Sequence, residues 1–415
     1  MADPLSLRAY LAAGYALRPL VDRHLERRTK RGKEDPERVD EKRGVPTLPH
    51  PGKPVIWCHA VGVGEALALT GFAECLIQLA PDHAILITTS SRNAAEVLMR
   101  NAPEGIIHQY LPVDVPPYVA RFLDHWQPVL SIWAERDIWP RLIWETAQHG
   151  IPQVIVNGRM TKDSLKQKRR ATRLFAACYG RCTFIDVQDQ ASAKHFAELA
   201  PHQTITVGGS LKAYGPPLKD HPEARSAWAK ALGSKTWLAA SVHPGEFDAI
   251  LSTQAQLAKA GWRAIFAPRS PADADALRAL CAQKGFSTKR TSSDAPSGAD
   301  IVIEDRLGYL GLWFRLADAA FIGGSFDTTG GHNPYEPARL ACPFFHGPNV
   351  SNFSGDYARF SDAGLNLRVQ TAGDLAKAIA TQDLNALGKQ VQSLSNTGET
   401  AVQNLAQRCV ALVTP

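Results

Sequence analysis

"FIGGSFDTTGGHNPYEP", Phe321 to Pro337, holds two glycine pairs, a His-Asn pair and a glutamate in one short stretch. Upstream, Ala319 to Ile322 is a small apolar run of the kind that forms a strand buried on both faces, and Gly323-Gly324 ends it. The second pair, Gly330-Gly331, precedes His332, Asn333 and Pro334, which read as the cap and first turn of a helix. In such a strand-to-helix turn no Cβ blocks close approach, and backbone N–H groups at a helix start attract an anion. The turn alone suits a plain tight connection as well as a phosphate seat. Glu336, in the first turn of a helix opened by Asn333, adds a carboxylate able to cap the dipole or to accept hydrogen bonds from ribose hydroxyls. Phosphate and ribose together point to a nucleotide.

Outward from this stretch, apolar strand-like runs alternate with helical ones. Strands are expected at 54–60, 84–90, 105–112, 127–135 and 152–158, then at 236–242, 263–269, 300–305, 319–324 and 342–347. Continuous apolar runs separated by helices imply parallel sheets with right-handed crossovers. The expected fold is α/β, with two Rossmann-like doubly wound domains facing each other across a cleft. Ligands of such sheets sit beyond the carboxyl ends of the strands. The expected boundaries are an arm over 1–45, a first domain over 46–207, a second over 208–390 and a C-terminal helix over 391–415. The Gly-, Pro- and Lys-rich stretch "GGSLKAYGPPLKD", 208–220, serves as the hinge.

A chain of 415 residues that is 45% hydrophobic has material for two cores. The seven cysteines lack paired metal-ligand spacing and read as core thiols of a reducing compartment. The net charge of +6 is modest, and much of the excess is local, in "RHLERRTKRGK" from Arg23 to Lys33. Before it, "LSLRAYLAAGYALRPLV" has the spacing of an amphipathic helix. No run reaches the ~18 apolar residues that span a bilayer. The first 45 residues therefore read either as an interfacial anchor for an anionic membrane surface or as a helix docked on its own protein. Nucleic acid is disfavoured, because the basic arm lacks interleaved aromatics.

Every candidate site follows an expected strand. After the first come Gly62, Gly64 and Glu65, a helix-start carboxylate able to take a proton from an incoming hydroxyl or merely to complement the dipole. Glu135 and Asp137 end the 127–135 run, and Arg159 follows the next. In the second half Ser241, His243, Gly245 and Glu246 follow one strand, and Pro268-Arg269 follows another. Arginine there suits a carboxylate or phosphate, whose two oxygens match its planar fork. Lys212, at the hinge, adds a point charge. His243 and His332 lack the partners of a metal site, so no metal is expected.

Taken together, "GGSFDTTGGHNPYEP", "GPNVSNF" (347–353), "AASVHPGE" (239–246), "APRSP" (267–271), "HAVGVGEALA" (59–68), "VNGRM" (156–160) and the basic lead-in 30–44 resemble the bacterial 3-deoxy-D-manno-octulosonic acid (Kdo) transferases, glycosyltransferase family 30. The resemblance runs in register from about residue 28 to 355. It implies a GT-B glycosyltransferase that moves Kdo from CMP-Kdo to a lipid A precursor in lipopolysaccharide synthesis, at the cytoplasmic face of the inner membrane. It implies Glu65 as general base. It also implies a donor site at Arg269, His332, Asn333 and Glu336, with no metal or cofactor. To the donor set the residues themselves add Lys212, Ser241, His243, Glu246, Pro268, Gly323, Gly324, Gly330 and Gly331, and to the acceptor side Gly64, Glu135, Asp137 and Arg159.

The chain departs from the family pattern in its first half. Glycine stands at 62 where serine is usual, and "AERDIWP" replaces an acidic pair of the "TETELWP" kind. The stretch "TTSSRNAAEV" (88–97) lacks the family's threonine-glycine turn, and the N-terminus is less apolar than usual. Alternatives are a paralogous transferase with another nucleotide sugar or acceptor, and a non-catalytic lipid A-binding protein.

Overall fold

The computed structural model describes residues 3–135, 138–215, 218–233, 235–296 and 298–413. It divides into two units, 1–215 with 398–415 and 216–397. The first contains a seven-stranded parallel sheet, β1 (Val55–Ala60), β2 (Ala84–Thr89), β3 (Ile106–Tyr110), β4 (Pro128–Ala134), β5 (Gln153–Gly158), β6 (Phe184–Val187) and β7 (Ile205–Val207), in the order 3-2-1-4-5-6-7. The second contains a six-stranded parallel sheet, β8 (Thr236–Val242), β9 (Arg263–Pro268), β10 (Thr288–Arg290), β11 (Ile301–Ile303), β12 (Ala319–Ile322) and β13 (Phe344–His346), in the order 10-11-9-8-12-13. Helices follow the strands, so the central strands are covered on both faces. All six residues of β1 are buried, which is why they read as an unbroken apolar run.

The first unit extends past the expected boundary at 207. Leu211 enters its core, and Tyr214 lies so close to Gly71 that a Cβ there would stand 2.9 Å from its ring. The Gly/Pro-rich stretch is thus half inside the first unit, and apolar burial, not composition, sets the break. At the other end the last helix runs Leu384–Val410, starting before the expected 391. Its Val402, Leu405, Ala406 and Cys409 pack into the core formed with Ile56 and Cys58 of β1. All seven cysteines are buried free thiols.

The N-terminal arm is a helix, Leu5–Lys30, docked on the first unit. Leu7 and Leu25 are buried, and Tyr10 Oη donates to Asp114 at 2.8 Å. Trp144 Nε1 donates to Asp3 at 2.8 Å, and the Arg141 guanidinium donates to the Leu11 carbonyl. Leu5, Tyr15, Leu17 and Leu20 remain exposed. No described helix is long and apolar enough to cross a membrane.

Candidate active site

In the first sheet the strand order reverses between β1 and β4. Loops leaving such a pair diverge to opposite faces and open a crevice at the carboxyl ends of the strands. Both candidate carboxyl groups sit there. Glu65 is in the first turn of the helix Val63–Leu79 after β1, where its carboxylate accepts the Gly62 N–H. Glu135 directly follows β4 in the left-handed region, at φ 64°, with its N–H donated to Val156 O at 2.9 Å. A side chain with a Cβ adopts that conformation at a cost that surrounding structure must offset.

The Glu135 carboxyl lies beside that of Glu65. Burial and then the charge of Glu65 push the Glu135 carboxyl up to about 7, against the pull of Lys212 and Arg159. Two neighbouring carboxyl groups must share a proton or repel, so Glu135 holds its proton below about pH 7. Asn157, at the end of β5, is buried and also left-handed (φ 56°), and its Oδ1 accepts the Leu211 N–H at 3.1 Å. That bond pins the turn carrying Lys212.

Lys212, expected with the donor set, lies in the first unit, where its charge acts on the Glu135 carboxyl. Gly64 is exposed, with nothing within 4 Å of where a Cβ would stand, so no close approach requires glycine there. Asp137 lies outside the described residues.

In the second sheet the order reverses between β8 and β12. Ser241, at φ 55°, forms a bulge near the end of β8, and its carbonyl would lie 2.5 Å from a Cβ at Gly323. Gly323 thus serves close approach, while Gly324 (φ 67°), Gly330 (φ 98°) and Gly331 (φ 76°) serve conformation. Glu246 is fully buried. Its carboxylate accepts four backbone N–H groups: His243 at 3.0 Å, Gly324 at 2.7 Å, Ser325 at 3.0 Å and Phe326 at 3.0 Å. Glu246 is corrected from ligand contact to scaffold, because those amides occupy both of its oxygens.

The glycine loop also differs from the phosphate cradle expected of it. The N–H groups of Gly330 and Gly331 both donate to Gly324 O, at 3.0 and 2.6 Å, and close the loop on itself. The N–H groups of His332 and Asn333, like those of Asp327 and Thr328, bond no described residue. The helix that follows is the short Tyr335–Arg339, with Asn333 Oδ1 accepting the Tyr335 N–H at 3.0 Å.

Around this loop the structure gathers the expected donor residues. His332 Nε2 lies 2.9 Å from His243 Nε2. Burial, His243 and Arg269 hold His332 down to about 4, and Asp327 acts in the opposite sense. Pro268 ends β9, and the N–H of exposed Arg269 is held by Val242 O at 2.9 Å. Burial pushes Glu336 upward while Arg339 and Arg269 pull it down. Among the described residues no group of three or more His, Cys, Asp or Glu could hold a metal.

Residues 37–214 match the family described as "3-Deoxy-D-manno-octulosonic-acid transferase (kdotransferase)". A probable mitochondrial 3-deoxy-D-manno-octulosonic acid transferase of Arabidopsis thaliana is 30% identical over 84% of this chain and 80% of its own. This chain belongs to the Kdo transferase family. The 3-deoxy-D-manno-octulosonic acid transferase of Haemophilus influenzae is 29% identical over 87% of this chain and 86% of its own. A glycosyltransferase of Rickettsia africae shares the fold at 11% identity, with a TM-score of 0.57 over 86% of this chain and 99% of that one. The chain is thus a glycosyltransferase of the GT-B architecture, and the candidate groups of each unit lie at the switch point of its own sheet.

Sequence reasoning missed the supports of the family's glycine loop. Tyr357 Oη donates to the His332 carbonyl at 2.8 Å. Asn349 and Asn352 donate from their side-chain amides to the carbonyls of Asp327 and Thr329, both at 2.7 Å. The "GPNVSNF" motif signalled the two asparagines, but no local pattern marks Tyr357.

Proposed function

We propose that this chain transfers Kdo from CMP-Kdo to a lipid A precursor by a single inverting displacement. The observation that carries the reading is a helix-start glutamate at the switch point of the first sheet, beside a second carboxyl group. Glu65 takes the proton of an acceptor hydroxyl while the hydroxyl oxygen attacks the anomeric carbon of Kdo. The bond from that carbon to the CMP phosphate oxygen breaks, and CMP leaves with the electron pair. Glu135, in its protonated form, orients the Glu65 carboxylate and limits the negative charge gathered there. Arg269, His332 and the N–H groups of His332 and Asn333 are the groups available to the phosphate, where negative charge grows as the bond breaks. Glu336 is the candidate ribose contact.

Lipid A precursors are amphiphiles, so the enzyme works at a membrane surface, here the cytoplasmic face of the bacterial inner membrane. Exposed Leu5, Tyr15, Leu17 and Leu20, followed by the basic 23–33 stretch, support a peripheral association by the N-terminal helix. The test is release of CMP from CMP-Kdo in micelles containing tetra-acylated lipid A precursor. Acceptor-dependent release is expected. Release at the same rate without acceptor, or none with it, would overturn the reading.

A further inference from the structure

The two imidazoles of the second unit carry an inference that rests on reading this half-site as a nucleotide seat. Their Nε2 atoms are 2.9 Å apart, with ring planes within 7° and centroids 5.2 Å apart. Nitrogens at this distance share one hydrogen, one ring donating and the other accepting through its lone pair. His243 follows β8 and His332 lies in the loop after β12, so the contact bridges the two strands that flank the switch point. Gly324 makes room for it, since a Cβ there would stand 3.3 Å from the His332 ring.

We propose that this pair is a proton-linked anion contact: seating the donor's phosphate beside His332 and Arg269 brings one proton into the pair, which turns from neutral to singly cationic. The added proton goes to the outer Nδ1 of the donating ring, and the Nε2–H to Nε2 contact survives. A second proton would set N–H against N–H, so the pair takes one.

The surroundings favour this behaviour. Arg269, at the end of β9, disfavours a proton on His332, and Asp327, in the loop after β12, favours one. Glu246 is taken up by four amides, Glu336 is acted on by Arg339 and Arg269, and the Tyr357 hydroxyl is on the His332 carbonyl. With His332 held down to about 4, that ring is neutral near pH 7 and sets no second cation beside Arg269. An opposite charge within ~4–6 Å raises an imidazole by about 1–3 units, enough to bring the pair's proton uptake toward pH 6–7. The site gains its second cation when the phosphate is there to be stabilised. By linkage, donor affinity falls as pH rises from the free-state to the bound-state value of the pair.

The test is calorimetric titration of the full chain at pH 6 with cytidine 5′-(methyl phosphate), a phosphodiester whose single charge does not titrate there. Two buffers of different ionisation enthalpy separate proton uptake from binding heat. Uptake of roughly 0.3–1 proton per bound nucleotide is expected, falling toward zero in both His243→Gln and His332→Gln, which bind more weakly. Wild-type binding without proton exchange, or uptake unchanged in both variants, would overturn the proposal and leave the nucleotide reading intact. No binding by the wild type would remove the nucleotide reading and the inference with it.

Discussion

The two units place their functional groups at the same point of the same kind of sheet, yet they use charge in opposite ways. In the first, two carboxyl groups meet at the β1/β4 switch point, and burial and repulsion push one up to about 7. In the second, the glutamate after β8 faces inward onto four amides, and the outward groups are an arginine and two imidazoles. A parallel sheet supplies a crevice and little chemistry of its own. Both glutamates cap their own helix start, Glu65 on the Gly62 N–H and Glu246 on the His243 N–H. What differs is that Glu246 also reaches across to the loop after β12 and is consumed there, whereas Glu65 stays near the crevice.

The sharpest way to break this comparison is to neutralise each glutamate. Glu65→Gln should lower kcat by ~10²–10⁴-fold and leave CMP affinity within about twofold, measured by CMP release and by nucleotide competition. A wild-type rate in that variant would remove the base assignment. Glu246→Gln should do the reverse, because an NH2 group would face backbone donors. The loss of roughly 2–3 kcal/mol in charged hydrogen bonds should weaken CMP binding by ~30–100-fold as the glycine loop loosens. If CMP affinity survives that change, Glu246 is not the scaffold of the donor loop.

Smaller effects sharpen the contrast. Gly330→Ala forces a side chain into φ 98° and toward Ser351 Oγ, 2.5 Å from the new Cβ. A cost of about 1–2 kcal/mol should weaken CMP binding by ~5–30-fold without touching the acceptor side. Gly64→Ala, with open space around it, should leave binding unchanged in the same assay.

The carboxyl pair predicts a pH dependence. Because the folded state holds Glu135 above its ordinary value, the unfolded chain loses this proton first. The group's contribution to stability therefore falls as pH rises from about 4.5 to about 7. Glu135→Gln removes the repulsion, so its Tm relative to wild type should be more favourable at pH 8 than at pH 5. The expected shift is about 2–4 °C per kcal/mol relieved. A difference that does not change with pH would show that the two carboxyl groups do not interact.

Much of the architecture was legible because most of the strands that form it are continuous apolar runs buried on both faces. Each of the ten expected runs contains an observed strand. The three strands not foreseen, β6, β7 and β10, have three or four residues. "ITV" and "TKR" show no apolar run, and "FIDV" carries a buried Asp186 that accepts the Thr206 hydroxyl at 2.7 Å. Such strands are stabilised by their neighbours and leave no periodic signal. The site was legible where glycine and charge fall at strand ends, as at Glu65, Arg269 and His332. It was misread at Glu246 and the Gly330-Gly331 amides, where the chemistry depends on partners elsewhere in the chain.

The sequence by itself determined the parallel sheets, the loops that carry chemistry and the family, since apolar runs, glycine pairs and spaced motifs are local properties of the chain. Only the tertiary structure decided which charges meet. Glu135 touches Glu65 and His243 touches His332 because crossover connections bring strand ends 70 and 89 residues apart to the same edge. No local pattern encodes a distance of 2.9 Å between residues so far apart.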